Sequence, residues 1–394
     1  MVMAARFIDI HIIQSVPFAN LNRDDTNSVK TVQYGSVLRT RVSSQSWKRA
    51  VRGVFEDRIG QAALRTRRIG ERVTRLLTED RGWPLDLAEK AGAHTAAASS
   101  IKFELAKDPK DPKQPVTNKV LTNAMVYVPE TAVAELADLA EEYREALQKA
   151  KDIKKPADKS VLPADRVETV LRSRNGVINL FGRMLAEVDN AGVDGAVQVA
   201  HALTTHETDV ELDYFSAVDD VTATWGDQSG SGHMGHTEFS AGTFYRYATI
   251  DLRDLAHNIG DNPDELRELT AAFLNAFILS LPQAKKNSTA PHTIPDLAHI
   301  SVRTDRPLSY AAAFESPVTA AGQGGYAAPS RATLSEYAEA ANRLLGTSNI
   351  LTSGWAGVDS KGLDGLGTRH TGFDTLISTA LDSALTAQPT GSQA

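Results

Sequence analysis

The sequence of 394 residues contains no cysteine. Disulfide bonds and thiolate metal sites are therefore excluded, which fits a reducing compartment. An uninterrupted apolar run is also absent near the start, because Arg6, Asp9 and His11 break the first apolar stretch. We expect neither a signal peptide nor a membrane span there, and the two absences together predict a cytoplasmic protein.

The chain has no overall excess of positive charge. Its 42 Lys and Arg face 49 Asp and Glu, which gives a formal net charge of −7. Averaged over the molecule, this charge argues against binding a polyanion such as nucleic acid. The charge is uneven, however, since residues 1–75 hold roughly 14 Lys and Arg against 6 Asp and Glu. Because binding depends on the local field, the N-terminal region remains a candidate surface for an anion.

The stretch from Arg41 to Phe55 predicts a helix with an anion site at its start. Ser43, Ser44 and Ser46 are residue types that cap helix N-termini. An apolar stripe at helical spacing follows, formed by Trp47, Val51, Val54 and Phe55. Gln45 and four cations surround the free N–H groups of the first turn; the cations are Arg41, Lys48, Arg49 and Arg52. We interpret this as a phosphate cradle, the alternative being a surface helix with a solvated basic face.

Five separate segments carry a resemblance to a known family. They read L-N-R-D-D and R-V-S-S-Q-S-W-K-R-A near the start, then A-H-A-L-T-T-H, D-Y-F-S-A-V-D-D and G-T-F-Y-R-Y-A. In this order they resemble the CasC/Cse-type backbone subunit of the type I-E CRISPR Cascade. The resemblance is dense over residues 7–58 and 182–251 and weaker at 281–286 and 301–315.

The resemblance implies an α+β fold described as a right hand. A palm built on a modified RRM (ferredoxin-like) sheet carries an inserted helical finger lobe and a thumb hairpin. In this chain the implied division is 1–60 palm, 61–181 finger lobe, 182–206 palm strand, 207–238 thumb, and 239–394 palm and tail.

The resemblance also implies a function without catalysis, and neither a cofactor nor a metal is expected. Several copies would polymerise along CRISPR RNA (crRNA) with other Cascade subunits, contacting phosphates and sugars so that any spacer is accepted. Spacer bases would then stay open for pairing with target DNA.

The matching positions give the expected contacts. RNA contacts are Asn22, Arg23, Arg41, Ser43, Ser44, Gln45, Lys48, Arg49, Arg183, Met184, His201, Thr204 and Thr205. Tyr214 and Phe215 would form the base of the thumb. From charge position alone, Lys149, Lys151, Lys154 and Lys155 are candidates for target DNA.

Two other function classes stay open at this point. A metal-dependent endoribonuclease of the same superfamily would use Asp24 or Asp25 in the early loop, although two adjacent carboxylates without a partner base do not make a cleavage site. A protein-interaction module would carry no nucleic acid at all.

Two further motifs match known binding sites by residue type, but their context argues against both sites. Gly230, Gly232 and Gly235 match the dinucleotide fingerprint, but they precede a strand, whereas that site needs a following helix. A metal cluster of His201, His206, His233 and His236 is not expected, because their spacing fits no helical pair.

Local patterns predict the remaining elements. We expect a basic helix over 62–77, helical pieces over 85–180 with two exposed, mobile Lys/Pro loops, a strand near 197–204, and an aromatic strand near 237–251. Helices are predicted from Asn262 or Pro263 and over 334–345, with a last sheet strand at 299–302 between them. The Gly/Ser/Thr-rich end from Gly346 is expected to be loosely ordered, with Trp355 as an anchor.

Overall fold

The computed structural model describes residues 5–217, 233–359 and 362–385. The chain forms two compact units: unit 1 comprises residues 1–55, 197–256 and 261–394, and unit 2 comprises residues 56–196 and 257–260. Unit 2 is therefore an insertion in the sequence of unit 1. The five-part division inferred from the sequence remains a prediction.

Unit 1 is built on a ten-stranded sheet centred on β1 (Phe7–Ala19). β1 pairs antiparallel with β11 (His233–Asp251) on one side and with β12 (Leu297–Arg303) on the other. Ile8, Ile10 and Ile12 are fully buried, as the alternation of branched residues predicts for a central strand. The sheet order is β14-β13-β12-β1-β11-β9-β3-β2, with β8 and β10 also pairing with β11.

The other elements of unit 1 lie around this centre. The strands are β2 (Thr31–Tyr34), β3 (Val37–Val42), β8 (Val197–Val199), β9 (Ala202–Thr204), β10 (Glu211–Ala217), β13 (Ile350–Gly357) and β14 (Thr368–Arg369). The helices are α1 (Ser44–Ile59), which continues into unit 2, α8 (Leu252–Ile259), whose last turn also belongs to unit 2, α9 (Pro263–Leu279), α10 (Lys286–Thr289), α11 (Ala327–Leu345) and α12 (Phe373–Leu385).

Unit 2 is mainly helical and has its own apolar core. Its helices are α2 (Ile69–Glu79), α3 (Leu85–Ala98), α4 (Ala132–Glu142), α5 (Arg144–Lys149), α6 (Ala164–Arg172) and α7 (Gly176–Phe181). Two small antiparallel sheets join β4 (Ala63–Thr66) to β7 (Val126–Pro129), and β5 (Phe103–Lys107) to β6 (Pro115–Thr122). Val73, Leu77, Leu136 and Leu147 are fully buried in this core.

Several helix and strand predictions are confirmed. The side chain of Asn262 caps α9 by accepting a hydrogen bond from the Glu265 N–H, and Pro263 occupies the first turn. β8 and β9 lie where a strand is predicted, and Trp355 is buried in β13. The α+β class is confirmed, whereas the RRM-like description of the palm remains a prediction.

Three local predictions are wrong. The basic helix predicted over 62–77 begins as strand β4, because its first residues pair with β7. The segment 103–122, predicted to be helical, forms the β5–β6 hairpin around its Lys/Pro turn. The end of the chain is not loose over its described residues: β13 pairs with β12 along its length, and α12 follows.

Among the described residues, no helix combines the length and the apolar character needed to span a bilayer.

Candidate nucleic-acid interface

The start of α1 is a capped helix N-terminus, as the sequence predicts. The Ser43 hydroxyl accepts a hydrogen bond from the Ser46 N–H at 3.3 Å. The Ser43 N–H in turn donates to the side-chain oxygen of Asn22 at 2.8 Å. The early loop and the helix start therefore form one structure, although 21 residues separate the two positions.

The burial of one face of α1 decides which side chains face outward. Trp47, Val51 and Phe55 are buried. Gln45 and Arg49 are exposed as a result, while Ser44 and Lys48 are half-buried. Polar and cationic groups thus surround the first turn, where backbone N–H groups favour an anion.

Lys48 holds a positive charge in a partly desolvated position. Burial lowers the pKa of its ammonium group, and this is the one cause of the shift. In the part of the chain that the structure describes, no carboxylate lies within ion-pair distance of Lys48. An anion placed beside the ammonium group would relieve this cost, as a phosphate would.

Arg41 and His201 form a second polar pair in unit 1. Arg41 lies on β3, opposite Leu203 of β9. Its guanidinium donates to Nδ1 of His201 at 3.0 Å. Burial, and then the charge of Arg41, lowers the pKa of His201, so the ring is neutral at pH 7 and accepts this bond. The pair fixes the direction of the guanidinium at an exposed position.

The loop over residues 22–30 is held by its own carboxylate and by β11. Asp24 accepts hydrogen bonds from the N–H and hydroxyl of Thr26 and from the N–H of Ser28. The hydroxyl of Thr26 is the main cause that lowers the pKa of Asp24. Glu238 accepts from the Ser28 hydroxyl at 3.0 Å and from the Val29 N–H at 2.9 Å. Arg23 is therefore presented on an ordered turn, with its side chain exposed.

Lys285 is a cation near this loop that the sequence analysis did not select as a contact. Its backbone is left-handed, with φ of 52°, and its ammonium lies 5.3 Å from the centroid of the Phe239 ring. Burial, and then the charge of Arg23, lowers its pKa, so the two cations are electrostatic neighbours. The sequence feature that could have indicated Lys285 is the Lys285–Lys286 pair just after the end of a helix.

Most of the basic residues near α2 are neutralised within unit 2. Arg68 pairs with Glu71, and Arg75 pairs with Glu79. Arg67 and Arg72 pair with Glu104 and Glu130. The count of Lys and Arg over residues 1–75 therefore overstates the positive charge that is available to a ligand. In unit 1 that available charge is concentrated at the start of α1 and in the early loop.

Arg183 must be withdrawn as an RNA contact, because its guanidinium is used inside unit 2. It donates to the carbonyl oxygens of Ala191, Tyr127, Ser173 and Arg172 at 2.7 to 3.2 Å. Burial lowers its pKa to about 10. The side chain ties together three segments of backbone and leaves little donor capacity for a ligand.

Thr204 and Thr205 must also be withdrawn, since both are fully buried in unit 1. The hydroxyl of Thr204 donates to the His206 carbonyl and accepts from the Thr40 N–H. The hydroxyl of Thr205 donates to the Thr243 carbonyl and bonds with the Ser330 hydroxyl at 2.7 Å. The two threonines of this motif therefore serve the packing of the sheet.

Met184 of unit 2 remains a candidate, because 91% of its side chain is exposed. Two residues before it lies Gly182, whose backbone is left-handed with φ of 80°. A side chain at Gly182 would collide with the backbone of Gly195. Phe181, Asp189 and Asn190 line the same surface depression of about 660 Å³. The four lysines proposed for DNA are exposed in unit 2.

The predicted thumb contains a two-stranded ribbon formed by β10 and the first residues of β11. Tyr214 and Phe215 are 75% and 47% exposed and lie on opposite faces. Phe215 covers Gly235, where a Cβ would lie 2.6 Å from its ring. Residues 218–232 of the predicted thumb lie outside the described residues, as do Gly230 and Gly232 of the dinucleotide-like motif.

The candidate metal-binding histidines occupy different environments. His206 is buried and stacks on Tyr326 with ring centroids 3.6 Å apart. His236 lies on β11 with its ring 6.3 Å from that of Tyr214. Within the described ranges, no group of three or more His, Asp or Glu side chains is placed to hold a metal ion.

Comparison with known proteins places the chain in a family of CRISPR-associated (Cas) proteins. The family model for CT1975-like proteins matches residues 8–380. The chain belongs to this CT1975-like family, and the resemblance seen in the sequence is confirmed at this level.

Two solved structures are similar over nearly the whole chain. One, described as a CRISPR RNA-guided surveillance complex, pre-nicking, contains a chain that is 45% identical, with a TM-score of 0.86. Another, described as a CRISPR RNA-guided surveillance complex, contains a chain that is 40% identical, with a TM-score of 0.77. Each alignment covers 96% of this chain and 100% of the other. No curated protein matches the chain.

Proposed function

We propose that this protein is a backbone subunit of a CRISPR RNA-guided surveillance complex, of the type I-E Cascade kind, in the cytoplasm. Copies of the chain bind side by side along the crRNA together with other Cascade subunits. The protein contacts phosphates and sugars, and the exposed bases of the guide pair with target DNA.

The observation that carries this proposal is the structure around the start of α1. An ordered loop presents Asn22 and Arg23, a capped helix N-terminus presents its N–H groups, and Lys48 is a partly buried cation without a carboxylate partner among the described residues. These are general phosphate-binding groups, and none of them selects a base. A backbone subunit needs this chemistry because it must accept every spacer sequence.

The subunit is proposed to act without catalysis. All three hydrogen bonds to Asp24 come from donors within its own turn, so this carboxylate has a local role. An endoribonuclease site would need a metal or a general base near the RNA, and the geometry of the early loop does not favour Asp24 for such a role.

Co-expression with the neighbouring genes and a guide tests the proposal. The purified protein should carry RNA, seen as an absorbance at 260 nm that exceeds the absorbance at 280 nm. Lys48→Glu with Arg49→Glu should abolish this RNA content. The matched control is Arg253→Glu with Arg343→Glu, which makes the same charge change on exposed helical positions of unit 1. Protein free of RNA in the wild type would instead support a protein-interaction module.

A further inference from the structure

The segment over residues 150–161 of unit 2, here called the lysine loop, has an ordered backbone and free cations. Its four lysines, Lys151, Lys154, Lys155 and Lys159, are exposed. Among the described residues, no carboxylate lies within 4.0 Å of their ammonium groups. The exposure that the composition predicts for this loop is confirmed, and hydrogen bonds give its backbone a defined conformation.

The two carboxylates of this segment, Asp152 and Asp158, bond to groups other than its four ammonium groups. Asp158 accepts hydrogen bonds from the backbone N–H groups of Lys154 and Lys155 at 2.8 and 3.0 Å. Asp152 accepts from the side chain of Asn118 at 3.2 Å and lies 3.5 Å from the ammonium of Lys90. Asp158 therefore shapes the backbone of the segment, Asp152 ties it to Asn118 and Lys90, and the four ammonium groups lie outside ion-pair distance of both acids.

Asn118, on β6, holds the middle of the lysine loop. Its side-chain oxygen accepts from the Ile153 N–H at 2.9 Å, and its own N–H donates to the Ile153 carbonyl at 3.0 Å. Ile153 is buried in the core of unit 2. The backbone of Asn118 is left-handed, with φ of 61°, a conformation that asparagine tolerates better than most residues.

Two residues of α3 hold the ends of the lysine loop. Nδ1 of the buried His94 accepts from the Val161 N–H at 3.2 Å, so Nε2 carries the proton and donates to the Lys151 carbonyl at 3.0 Å. The ammonium of Lys90 donates to the Ala150 carbonyl at 3.0 Å. The loop is thus fixed at both ends and in its middle by side chains of unit 2.

We propose that Asn118 is a positioning residue that presents the lysine loop to the phosphates of target DNA, an inference that rests on the proposed function. Lysine binds phosphate as a point charge, and a fixed backbone lowers the entropy cost of bringing several ammonium groups to one strand. The loop borders an open depression of about 720 Å³ whose rim carries these lysines. Asn118 acts through the backbone and does not itself need to touch DNA.

The test uses the assembled, guide-loaded complex, with its RNA content checked first, and measures binding of matched duplex DNA over a range of salt. Replacing Lys151, Lys154 and Lys155 by Ala should reduce the slope of log affinity against log salt by about 2 to 3 for each copy of the chain that contacts DNA. Asn118→Gly keeps the left-handed backbone and removes the side chain. It should weaken DNA binding about tenfold and accelerate amide exchange over residues 150–161.

A double-mutant cycle separates positioning from a general structural effect. Asn118→Gly should cause no further loss in the triple-lysine background, because the groups it positions are already absent. The control Asp261→Gly, at an exposed left-handed position of unit 1, should leave DNA binding unchanged.

Three results would overturn the inference. In the first, Asn118→Gly accelerates amide exchange but leaves DNA affinity intact. In the second, the triple-lysine variant binds DNA like the wild type, which removes the DNA contact but leaves the guide scaffold in place. In the third, the triple-lysine variant loses another subunit from the complex, which would assign the lysines to an acidic protein surface. A wild type without RNA would instead reject the proposed function itself.

Discussion

The side-chain oxygen of Asn22 accepts a hydrogen bond from the Ser43 N–H at 2.8 Å, which joins the early loop to the start of α1. Two motifs that are separate in the sequence thereby become one surface. The loop supplies Arg23, and the helix supplies Gln45, Lys48 and Arg49. This bond is one of the contacts that set the position of Arg23 relative to the cations of the helix.

Asn22→Ala should weaken RNA binding and lower the free energy of unfolding by about 1 kcal/mol, because one partly buried hydrogen bond is lost. Asn22→Asp keeps an acceptor for the Ser43 N–H, so it should preserve stability, yet it adds negative charge beside the phosphates and should weaken RNA binding further. Chemical denaturation and RNA titration of both variants measure these effects. Equal RNA affinity for the wild type and both variants would contradict the account.

Lys48→Met should lower RNA affinity and raise the Tm of the RNA-free protein. Burial lowers the pKa of Lys48, so the folded protein bears a cost for the charge at pH 7, and that cost falls as pH rises toward the ordinary pKa of lysine. Arg49→Met is the control: Arg49 is exposed, so its loss should lower affinity without raising Tm. A fall in Tm for Lys48→Met would show that the ammonium group has a stabilising partner.

The core of unit 1 should lose stability in acid. His11 and His299 are opposite each other on β1 and β12, and burial lowers both pKa values, that of His299 to about 4. Stability is therefore complete above the ordinary histidine pKa of about 6.5 and declines below it. Asp9 acts in the opposite direction, because burial raises its pKa to about 6, so folding takes up one proton there.

With two histidines against one aspartate, this cluster should contribute a net decline of about 1.4 kcal/mol per pH unit between pH 6 and pH 4, to which the buried His94 and His206 add. Urea denaturation of the RNA-free protein across this range measures the decline. His11→Phe should reduce it, whereas His257→Gln, at an exposed position, should leave it unchanged. A stability that is constant from pH 7 to pH 4 would contradict the buried, neutral state of the pair.

The C-terminal strand should be essential for folding. Trp355 is 1% exposed in β13 and packs in the core of unit 1 with Tyr310 and Leu334. Trp355→Ala should cost about 3 to 5 kcal/mol, and a chain that ends at Leu345 should not fold, because β12 would keep β1 but lose β13, its partner on the other side. Circular dichroism and expression of soluble protein check both outcomes. A truncated chain that folds would contradict this prediction and would support the loosely ordered tail that the composition suggested.

The sequence was most informative where local chemistry and burial agree. The cap at Ser43, the apolar stripe of α1 and the Asn262–Pro263 start of α9 are short-range signals that tertiary contacts do not override. The tail was misjudged because its Gly, Ser and Thr content is typical of loops, whereas pairing with β12 depends on a partner about 50 residues away. The β5–β6 hairpin was missed although its strands are close in the sequence, because the Lys/Pro turn between them was interpreted as a break between helices.

The candidate site was predictable in part. Residue types and motif order indicated the start of α1, yet they could not separate an exposed polar side chain from a buried one. Arg183, Thr204 and Thr205 lie within or beside motifs of the family and serve the backbone and the core. Lys285 was missed because its relation to Arg23 exists only in the folded chain.

The most direct test of the central claim is the affinity of the protein for two guide RNAs of unrelated spacer sequence, measured over a range of salt. The account predicts equal affinities, the same steep decline with salt, and loss of binding to both RNAs in the Lys48→Glu, Arg49→Glu variant. Affinities that follow the spacer sequence, or a variant that binds both RNAs like the wild type, would contradict it.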